Sequence, residues 1–375
     1  MHGPVPAAGR RCGHRRALTV VSVFAFALPA ALGLPSAVAG GPGRGDWNDA
    51  VADIGPRYGH VAVRLADGRV LVAGGLDDTN AGELATAAIY TPGRGVTRTE
   101  AMGVPRHQPA ALLLSDGSVL VTGGLRARST DRYVPALSRW LPAAAMSTAR
   151  WAHTATLLRD GRVLVAGGSG TVTTSSAEVY DPVANRWAPA AAMDAPRHWH
   201  TATALADGRV LVVGGQGPTS TLASAEIYNP ATNHWIPAGE LSVPRVEHCA
   251  TLLPDGRVLV TGGADGERYW SSSEIFDPAT GHWAPGPSMA TGRAGHTATA
   301  LPDGSVFVAG GLVRYNKALS TTEVYDVTSR RFEPGPPMSA PRYLHTATTL
   351  DRRTVAFIGG WNGRDSTGDV SLYRL

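Results

Sequence analysis

One pattern recurs along this chain at a nearly fixed spacing. Its clearest marker is a Gly-Gly doublet that follows a short apolar run. The doublets are Gly74-Gly75, Gly123-Gly124, Gly167-Gly168, Gly214-Gly215, Gly262-Gly263, Gly310-Gly311 and Gly359-Gly360. Successive doublets are 44 to 49 residues apart. A period of this length with several short strands per unit is typical of the blades of a β-propeller.

The third copy shows how one repeat forms a blade. Residues 153–158 and 162–166 are β-prone runs joined by Asp160-Gly161, a pair suited to a tight turn. A third strand is predicted at 177–180, where Asp181-Pro182 ends it because proline has no amide to continue the ladder. A fourth strand centres on Trp187. The repeat therefore predicts a four-stranded antiparallel sheet.

The phase of the repeat predicts how the ring closes. In most copies an aromatic residue lies 13 residues before the next histidine, and Trp47 has this spacing from His60. The last copy ends two residues after Tyr373, at Leu375, and so supplies three strands. We expect an all-β, seven-bladed propeller in which an N-terminal strand around Trp47 completes the last blade.

The first 39 residues differ from the repeats. Arginines at 10, 11, 15 and 16 precede an apolar run over 17–34, and Ala37-Val38-Ala39 follows. This order predicts a secretory signal peptide at 1–39, cleaved after Ala39, and a secreted propeller domain at 40–375. An uncleaved N-terminal anchor is the alternative. With the peptide removed we expect no membrane span.

Charge and cysteine content narrow the classes of function. Without the four arginines of the signal peptide, the chain's 34 basic residues become 30, equal to its 30 acidic residues. With no basic stripe in the sequence, we expect no nucleic-acid partner. Cys249 is the only cysteine after residue 39, so no disulfide can form within the mature chain.

The repeat resembles the kelch family. The resemblance rests on the Gly-Gly doublet, the tyrosine of the third strand and the tryptophan seven residues beyond it, as in Tyr180 and Trp187. It is similar in wording to secreted bacterial kelch proteins and covers nearly the whole mature chain. Kelch propellers include peptide-binding modules, sugar epimerases and copper-radical oxidases, so the resemblance implies a fold more strongly than a function.

An arginine stands three residues before the histidine position in every copy. These residues are Arg57, Arg106, Arg150, Arg197, Arg245, Arg293 and Arg342. The resemblance implies that such arginines can face the central funnel and bind carboxylates. The alternative is pairing inside the propeller with the recurrent third-strand acids. Copies one and seven have Ala88 and Ser371 in place of that acid, which makes Arg57 and Arg342 the predicted ligand-binding members.

The loops after the doublets vary most between copies and are the second candidate for ligand contact. Their candidate residues are Arg268, Tyr269 and Trp270 in copy five, Arg314 and Tyr315 in copy six, and Trp361 and Arg364 in copy seven. Aromatic rings beside polar groups can stack on a sugar and bond its hydroxyls. The alternative is that these rings pack on neighbouring loops.

The histidines at the repeated position do not predict a metal site. Each of His60, His153, His200, His248, His296 and His345 lies in a different copy, and ligands spread around a ring cannot meet on one ion. A copper-radical centre is disfavoured too, because the sequence has no Tyr-His dipeptide. We therefore expect no metal or cofactor.

The sequence as a whole predicts a monomeric extracellular module that binds a protein, peptide or glycan. A carbohydrate-active enzyme, either epimerase-like or an oxidase, is the alternative.

Overall fold

The computed structural model describes residues 45–78, 82–266 and 268–375, the side chains of Ala50 and Tyr315 excepted. The predicted signal peptide lies outside these residues. The described chain is almost entirely β-structure, apart from one turn of 3-10 helix. No helix in this part of the chain is long and apolar enough to cross a membrane.

The strands follow one another blade by blade. β1 (Asp46–Asp53) precedes the first complete repeat. Blade 1 contains β2 (Val61–Arg64), β3 (Val70–Ala73), the short pair β4 (Leu76–Asp77) and β5 (Gly82–Glu83), β6 (Ala87–Thr91) and β7 (Gly95–Arg98). Blade 2 contains β8 (Ala110–Leu113), β9 (Val119–Thr122), β10 (Thr130–Val134) and β11 (Arg139–Ala143). Blade 3 contains β12 (Thr154–Leu157), β13 (Val163–Ala166), β14 (Ala177–Asp181) and β15 (Arg186–Ala190).

The remaining blades repeat this order. Blade 4 contains β16 (Thr201–Ala204), β17 (Val210–Val213), β18 (Ser224–Asn229) and β19 (His234–Glu240). Blade 5 contains β20 (Cys249–Leu252), β21 (Val258–Thr261), the short pair β22 (Ala264–Asp265) and β23 (Arg268–Tyr269), β24 (Ser273–Asp277) and β25 (His282–Pro285). Blade 6 contains β26 (Thr297–Ala300), β27 (Val306–Ala309), β28 (Leu312–Val313), the 3-10 turn Arg314–Asn316, β29 (Lys317–Ala318), β30 (Thr322–Asp326) and β31 (Arg331–Gly335). Blade 7 contains β32 (Thr346–Thr349), β33 (Thr354–Ile358) and β34 (Asp369–Arg374).

Local chemistry sets the turns of each blade, as the third copy shows. Asp160 Oδ1 accepts a hydrogen bond from the Arg162 amide at 3.0 Å, and Gly161 takes a φ of 82°. Asp181 accepts amides of the next turn in the same way, at 2.9 and 3.0 Å. Side-chain acceptors and a positive-φ glycine are what these turns require. The predicted hairpin and the predicted end of the third strand are both confirmed.

The ring closes as predicted. β1 pairs antiparallel with β34, and Trp47 stands opposite Tyr373 in the same register as Trp187 opposite Tyr180 in blade 3. The sheet order of blade 7 is β1-β34-β33-β32. The first strands of the blades also contact one another all the way round, including β2 with β32. These first strands therefore line the central channel of a closed seven-bladed propeller.

The core lies between the blades. Leu164 and Val179 of blade 3, for example, pack against Val210 and Val212 of blade 4, and similar apolar clusters fill the other interfaces. Each sheet is thus apolar on both faces, which is why the second strands are continuous apolar runs. The Gly-Gly doublet belongs to this packing. A Cβ on Gly167 would lie 2.4 Å from the Arg197 carbonyl oxygen of the next blade.

Candidate functional site

Antiparallel pairing places two kinds of connection at one end of the propeller. These are the loops between the second and third strands, and the connections that carry the chain from one blade to the next. The connections contain the segments 57–60, 106–109, 150–153, 197–200, 245–248, 293–296 and 342–345. We call this end the upper face. The Asp-Gly turns and the turns between the third and fourth strands lie at the opposite, lower face.

Five of the seven repeated arginines are committed to the scaffold. Their side chains are fully buried, and each guanidinium pairs with the third-strand acid of its own copy at 2.7 to 2.9 Å. The pairs are Arg106–Asp131, Arg150–Glu178, Arg197–Glu226, Arg245–Glu274 and Arg293–Glu323. Each guanidinium also donates to a carbonyl of the Gly-Gly doublet. The pairing predicted as the alternative to ligand binding is therefore present.

The two arginines without an acidic partner are also buried. Arg57 donates to the carbonyls of Ile54, Gly74 and Thr86, and loss of hydration lowers its pKa to about 10. Arg342 donates to the carbonyls of Gly359 and Asp369 and to the Ser371 hydroxyl. Their exposed fractions are 4% and 1%. Backbone oxygens replace the missing carboxylate, so neither guanidinium lies open to a ligand in this conformation.

The repeated histidines join neighbouring blades. Each Nε2 lies 2.7 to 3.1 Å from a threonine hydroxyl of the preceding blade, as in His200 with Thr154 and His248 with Thr201. Burial is the main cause that lowers their pKa, to about 3 for His153, His248 and His345. These rings are neutral and structural.

A belt of backbone hydrogen bonds surrounds the channel at the upper face. It is formed by the residue two positions after each repeated arginine, and all seven members have φ between 50° and 62°. These residues, which we call the channel belt, are Gly59, Gln108, Ala152, Trp199, Glu247, Gly295 and Leu344. Each amide donates to the belt carbonyl of the preceding blade at 2.9 to 3.2 Å. Within the described residues, the link from Glu247 to Trp199 is the one that lacks this bond.

Unlike the arginines and histidines, the belt does not repeat chemically. Its side chains are an amide, a methyl group, an indole, a carboxyl and an isobutyl group, separated by two glycines. Trp199 Nε1 donates to Gln108 Oε1 at 3.2 Å, across the intervening Ala152. Trp199 also packs on His198 and Trp151, with centroids 4.4 and 5.3 Å away. One side of the channel mouth is therefore aromatic.

A second group of rings lies on the other side. Tyr343 and Leu344 are buried with Leu312 and Ala318, and the half-buried rings of Tyr58, Tyr269 and Trp361 pack against them. We call these seven residues the aromatic cluster. Trp361 Nε1 donates to Asp78 Oδ2 at 3.1 Å and so joins blade 7 to blade 1. Two predicted loop residues, Tyr269 and Trp361, are brought together here.

The other predicted loop residues are placed apart. Trp270 is half-buried, and its Nε1 donates to the Pro244 carbonyl at 3.1 Å. Arg268, Arg314 and Arg364 are exposed, the last 3.5 Å from Asp365. Tyr315 lies in the 3-10 turn, and its side chain is outside the description. Reading the loops alone missed Gln108, Trp199, Glu247 and Tyr343. A comparison of the copies at the two positions after each arginine would have found them.

The described residues do not fit a copper-radical centre. No three of their histidine, cysteine, aspartate or glutamate side chains come close enough to hold a metal ion. The Cys249 thiol lies between blades 5 and 6 and donates to the His296 carbonyl at 3.1 Å. Burial raises its pKa to about 12, so the thiolate that forms a cross-link is disfavoured.

Comparison with known sequences bears on this architecture. A sequence model of the KLHDC2/KLHL20/DRC7 kelch-repeats domain matches residues 139–311, and one of the kelch motif matches residues 292–339. No curated protein is similar enough to the chain to count as a match.

Two solved structures share the fold. A fungal alcohol oxidase of the AA5 family, in complex with copper, is 22% identical over 88% of this chain and 76% of its own, with a TM-score of 0.73. The structure of YjhT is 15% identical over 72% of this chain and 94% of its own, with a TM-score of 0.60. At these identities the likeness extends to the fold alone. Together, the kelch matches and the seven closed blades show that this chain belongs to the kelch-repeat β-propeller family.

Proposed function

We propose that this protein is an extracellular binding module that recognises a protein, peptide or glycan at the upper face of its propeller. The observation that carries the proposal is a contrast within each repeat. The arginine and histidine of every connection are buried in the scaffold, whereas the two residues between them differ from copy to copy. Ligand contacts on a repeated scaffold are expected where the repeats diverge.

The chemistry of the upper face supports this role. Half-buried rings lie on both sides of the channel mouth, with Trp151 and Trp199 on one side and Tyr58, Tyr269 and Trp361 on the other. Aromatic rings that are already packed lose little conformational entropy on binding and present a large apolar area. Carboxyl and amide groups between them, on Glu247 and Gln108, can fix the orientation of a ligand.

Export is part of the same proposal and rests on the sequence of residues 1–39. Expression of the full chain in a bacterial host with an intact export pathway should deliver the protein to the medium or periplasm. Its N-terminal sequence should begin at Gly40. Retention in the cytoplasm with Met1 or His2 at the N-terminus would contradict this part.

The binding role is tested with glycan and peptide arrays probed with the purified protein. Trp361→Ala removes a ring of the aromatic cluster and should weaken binding of an array ligand at least tenfold, which is about 1.4 kcal/mol. Trp270→Ala tests the neighbouring loop. Val183→Ala is the matched control, because Val183 is 95% exposed at the lower face. Wild-type affinity in both tryptophan variants would refute the assignment of this face.

A further inference from the structure

Glu247 is the acidic member of the channel belt, and its carboxyl lacks a polar partner. It is half-buried at the mouth of the channel. Within residues 45–78, 82–266 and 268–375, no hydrogen bond or ion pair to this carboxyl is found. Acids in such surroundings are ordinarily paired, since removing a charge from water without compensation is costly.

The titratable groups that face Glu247 are phenols. Burial raises the pKa of Tyr269, and the charge of Glu247 raises it further. Burial likewise raises the pKa of Tyr343, with added contributions from Glu247, Tyr269 and Tyr58. Tyr343 is 1% exposed, and its hydroxyl has no hydrogen-bond partner among the described residues. Two phenol rings and an unpaired carboxyl thus share one recess.

Small residues in blade 6 make this recess possible. Between blade 5, which carries Glu247, and blade 7, which carries Tyr343, the corresponding connection holds Ala294 and Gly295. A larger side chain at either position would occupy the space between the carboxyl and the phenol. Since the other connections carry side chains such as Trp151 or Trp199, this opening is particular to blade 6.

The nearest repeated cation does not neutralise Glu247. Arg245 lies two residues away, but its guanidinium pairs with Glu274 at 2.8 Å and donates to the carbonyls of Gly262 and Ser272. His248 is neutral and bonded to Thr201. A positive charge that balances the carboxylate must therefore come from outside this part of the protein.

We propose that Glu247, with Tyr269 and Tyr343 beside it, forms a binding site for the ammonium or guanidinium group of an organic cation. Ring faces attract such cations, and a carboxylate supplies the opposite charge. A metal ion fits less well, because hard cations require several oxygen ligands and one carboxyl stands here. The inference rests on the proposed function and names the chemistry of the ligand at that face.

Protonation should compete with the cation. Loss of hydration raises the pKa of Glu247 to about 8, so at neutral pH the carboxyl mostly holds a proton. The ionised fraction rises from about one tenth at pH 7 to about nine tenths at pH 9. Cation affinity should therefore increase about tenfold over this interval and then level off.

The test is calorimetric titration of the purified protein with tetramethylammonium and with methylguanidinium, at pH 7 and pH 9. We expect saturable binding of at least one cation at pH 9, about tenfold weaker binding at pH 7, and no binding of tert-butanol, a neutral molecule similar in size and shape to tetramethylammonium. Glu247→Gln should abolish binding at both pH values. Glu240→Gln, which changes an exposed acid of the outer strand β19, is the matched control and should bind as the wild type does.

Three results would overturn the proposal: neither cation saturates the protein at pH 9, tert-butanol binds equally well, or Glu247→Gln binds like the wild type. The pH series and the tert-butanol comparison use the unaltered protein, so they remain decisive even if Glu247→Gln does not fold. If an array ligand binds through Trp361 while no cation binds, the proposed function stands and this inference fails. Failure on the arrays and in both titrations would refute the two together.

The source of the cation can be distinguished in the same assay. Acetyl-Gly-Arg-Gly-amide carries the guanidinium on a peptide backbone. Tighter binding of this peptide than of methylguanidinium indicates an arginine side chain of a partner protein, whereas equal or weaker binding indicates a free small molecule. Either result supports a cation site.

Discussion

Replacement of Trp47 by alanine tests how the ring is held closed. The indole packs on Phe357 and Tyr373, with centroids 5.0 and 5.2 Å away, and lies 6.2 Å from Phe307. Its Nε1 donates to the Pro336 carbonyl of blade 6 at 2.9 Å. The side chain therefore joins β1 to its own blade and to the preceding one.

The expected cost follows from these contacts. Truncating a buried aromatic residue to alanine costs about 3 to 5 kcal/mol, and the partial exposure of Trp47 places it at the lower end, about 3 kcal/mol. With an unfolding entropy of about 2.1 cal/mol/K per residue over roughly 330 residues, this corresponds to a decrease in Tm of about 4 °C. Deleting residues 40–50 should have a larger effect, because half of β1 is lost with the indole.

The matched control is Trp187→Ala. Trp187 has the same surroundings in blade 3, with Tyr180 at 5.0 Å and a 2.7 Å bond from Nε1 to the Ala144 carbonyl. The two variants should lose similar stability in thermal and urea unfolding. Hydrogen exchange should then separate them, because β15 stays tied to β14 by a short turn, whereas β1 is held to β34 by non-covalent contacts.

Amides of β34 should exchange faster in Trp47→Ala than in Trp187→Ala. An unchanged melting curve for Trp47→Ala beside a destabilised Trp187→Ala would refute the reasoning. It would mean that β1 does not carry the closure of the ring.

Three further predictions concern buried groups. Glu226→Gln leaves the guanidinium of Arg197 buried without its counter-ion and should cost about 3 kcal/mol in urea unfolding; a loss below 0.5 kcal/mol, on the order of a surface substitution, would contradict the scaffold role. Glu247 holds its proton in the native state up to pH about 8, whereas the unfolded chain releases it near the ordinary value of 4.5, so native stability falls as pH rises between these values. Glu247→Gln should therefore gain on the wild type by at most about 1.4 kcal/mol per pH unit there, and parallel curves of Tm against pH would refute this. Cys249, with a pKa raised to about 12 by burial, should resist a thiol reagent at pH 8 until the protein is unfolded in urea, and rapid labelling of the native protein would contradict its placement.

The sequence predicted the fold well because the fold depends on features that repeat. The doublets, the Asp-Gly turns and the Trp-Tyr spacing each reflect a local requirement of one blade, and seven copies reinforce it. Even the closure could be inferred, since Trp47 has the phase of Trp187 in its own repeat. Local requirements of this kind are written in nearby residues.

The candidate site was harder to predict because its geometry is set between blades. Arg57 was expected to be open to ligand since Ala88 stands where other copies have an acid, but the carbonyls of Ile54, Gly74 and Thr86 satisfy it instead. Backbone acceptors have no signature in the side-chain sequence. The bond from Trp199 to Gln108 likewise spans blades 2 and 4 and depends on the curvature of the ring.

The backbone of the channel belt gives an independent reason to look for function there. Every belt residue is in the left-handed region, where glycine is the unstrained choice, yet five of the seven positions carry side chains. Positive φ at a residue such as Trp199 or Leu344 costs on the order of 1 to 3 kcal/mol and persists only where surrounding contacts impose it. Glycine at 59 and 295 shows that the belt forms without that cost. A chain that needed the belt only for closure would gain stability from glycine throughout, so the indole and the carboxyl at 199 and 247 are best explained by what they bind.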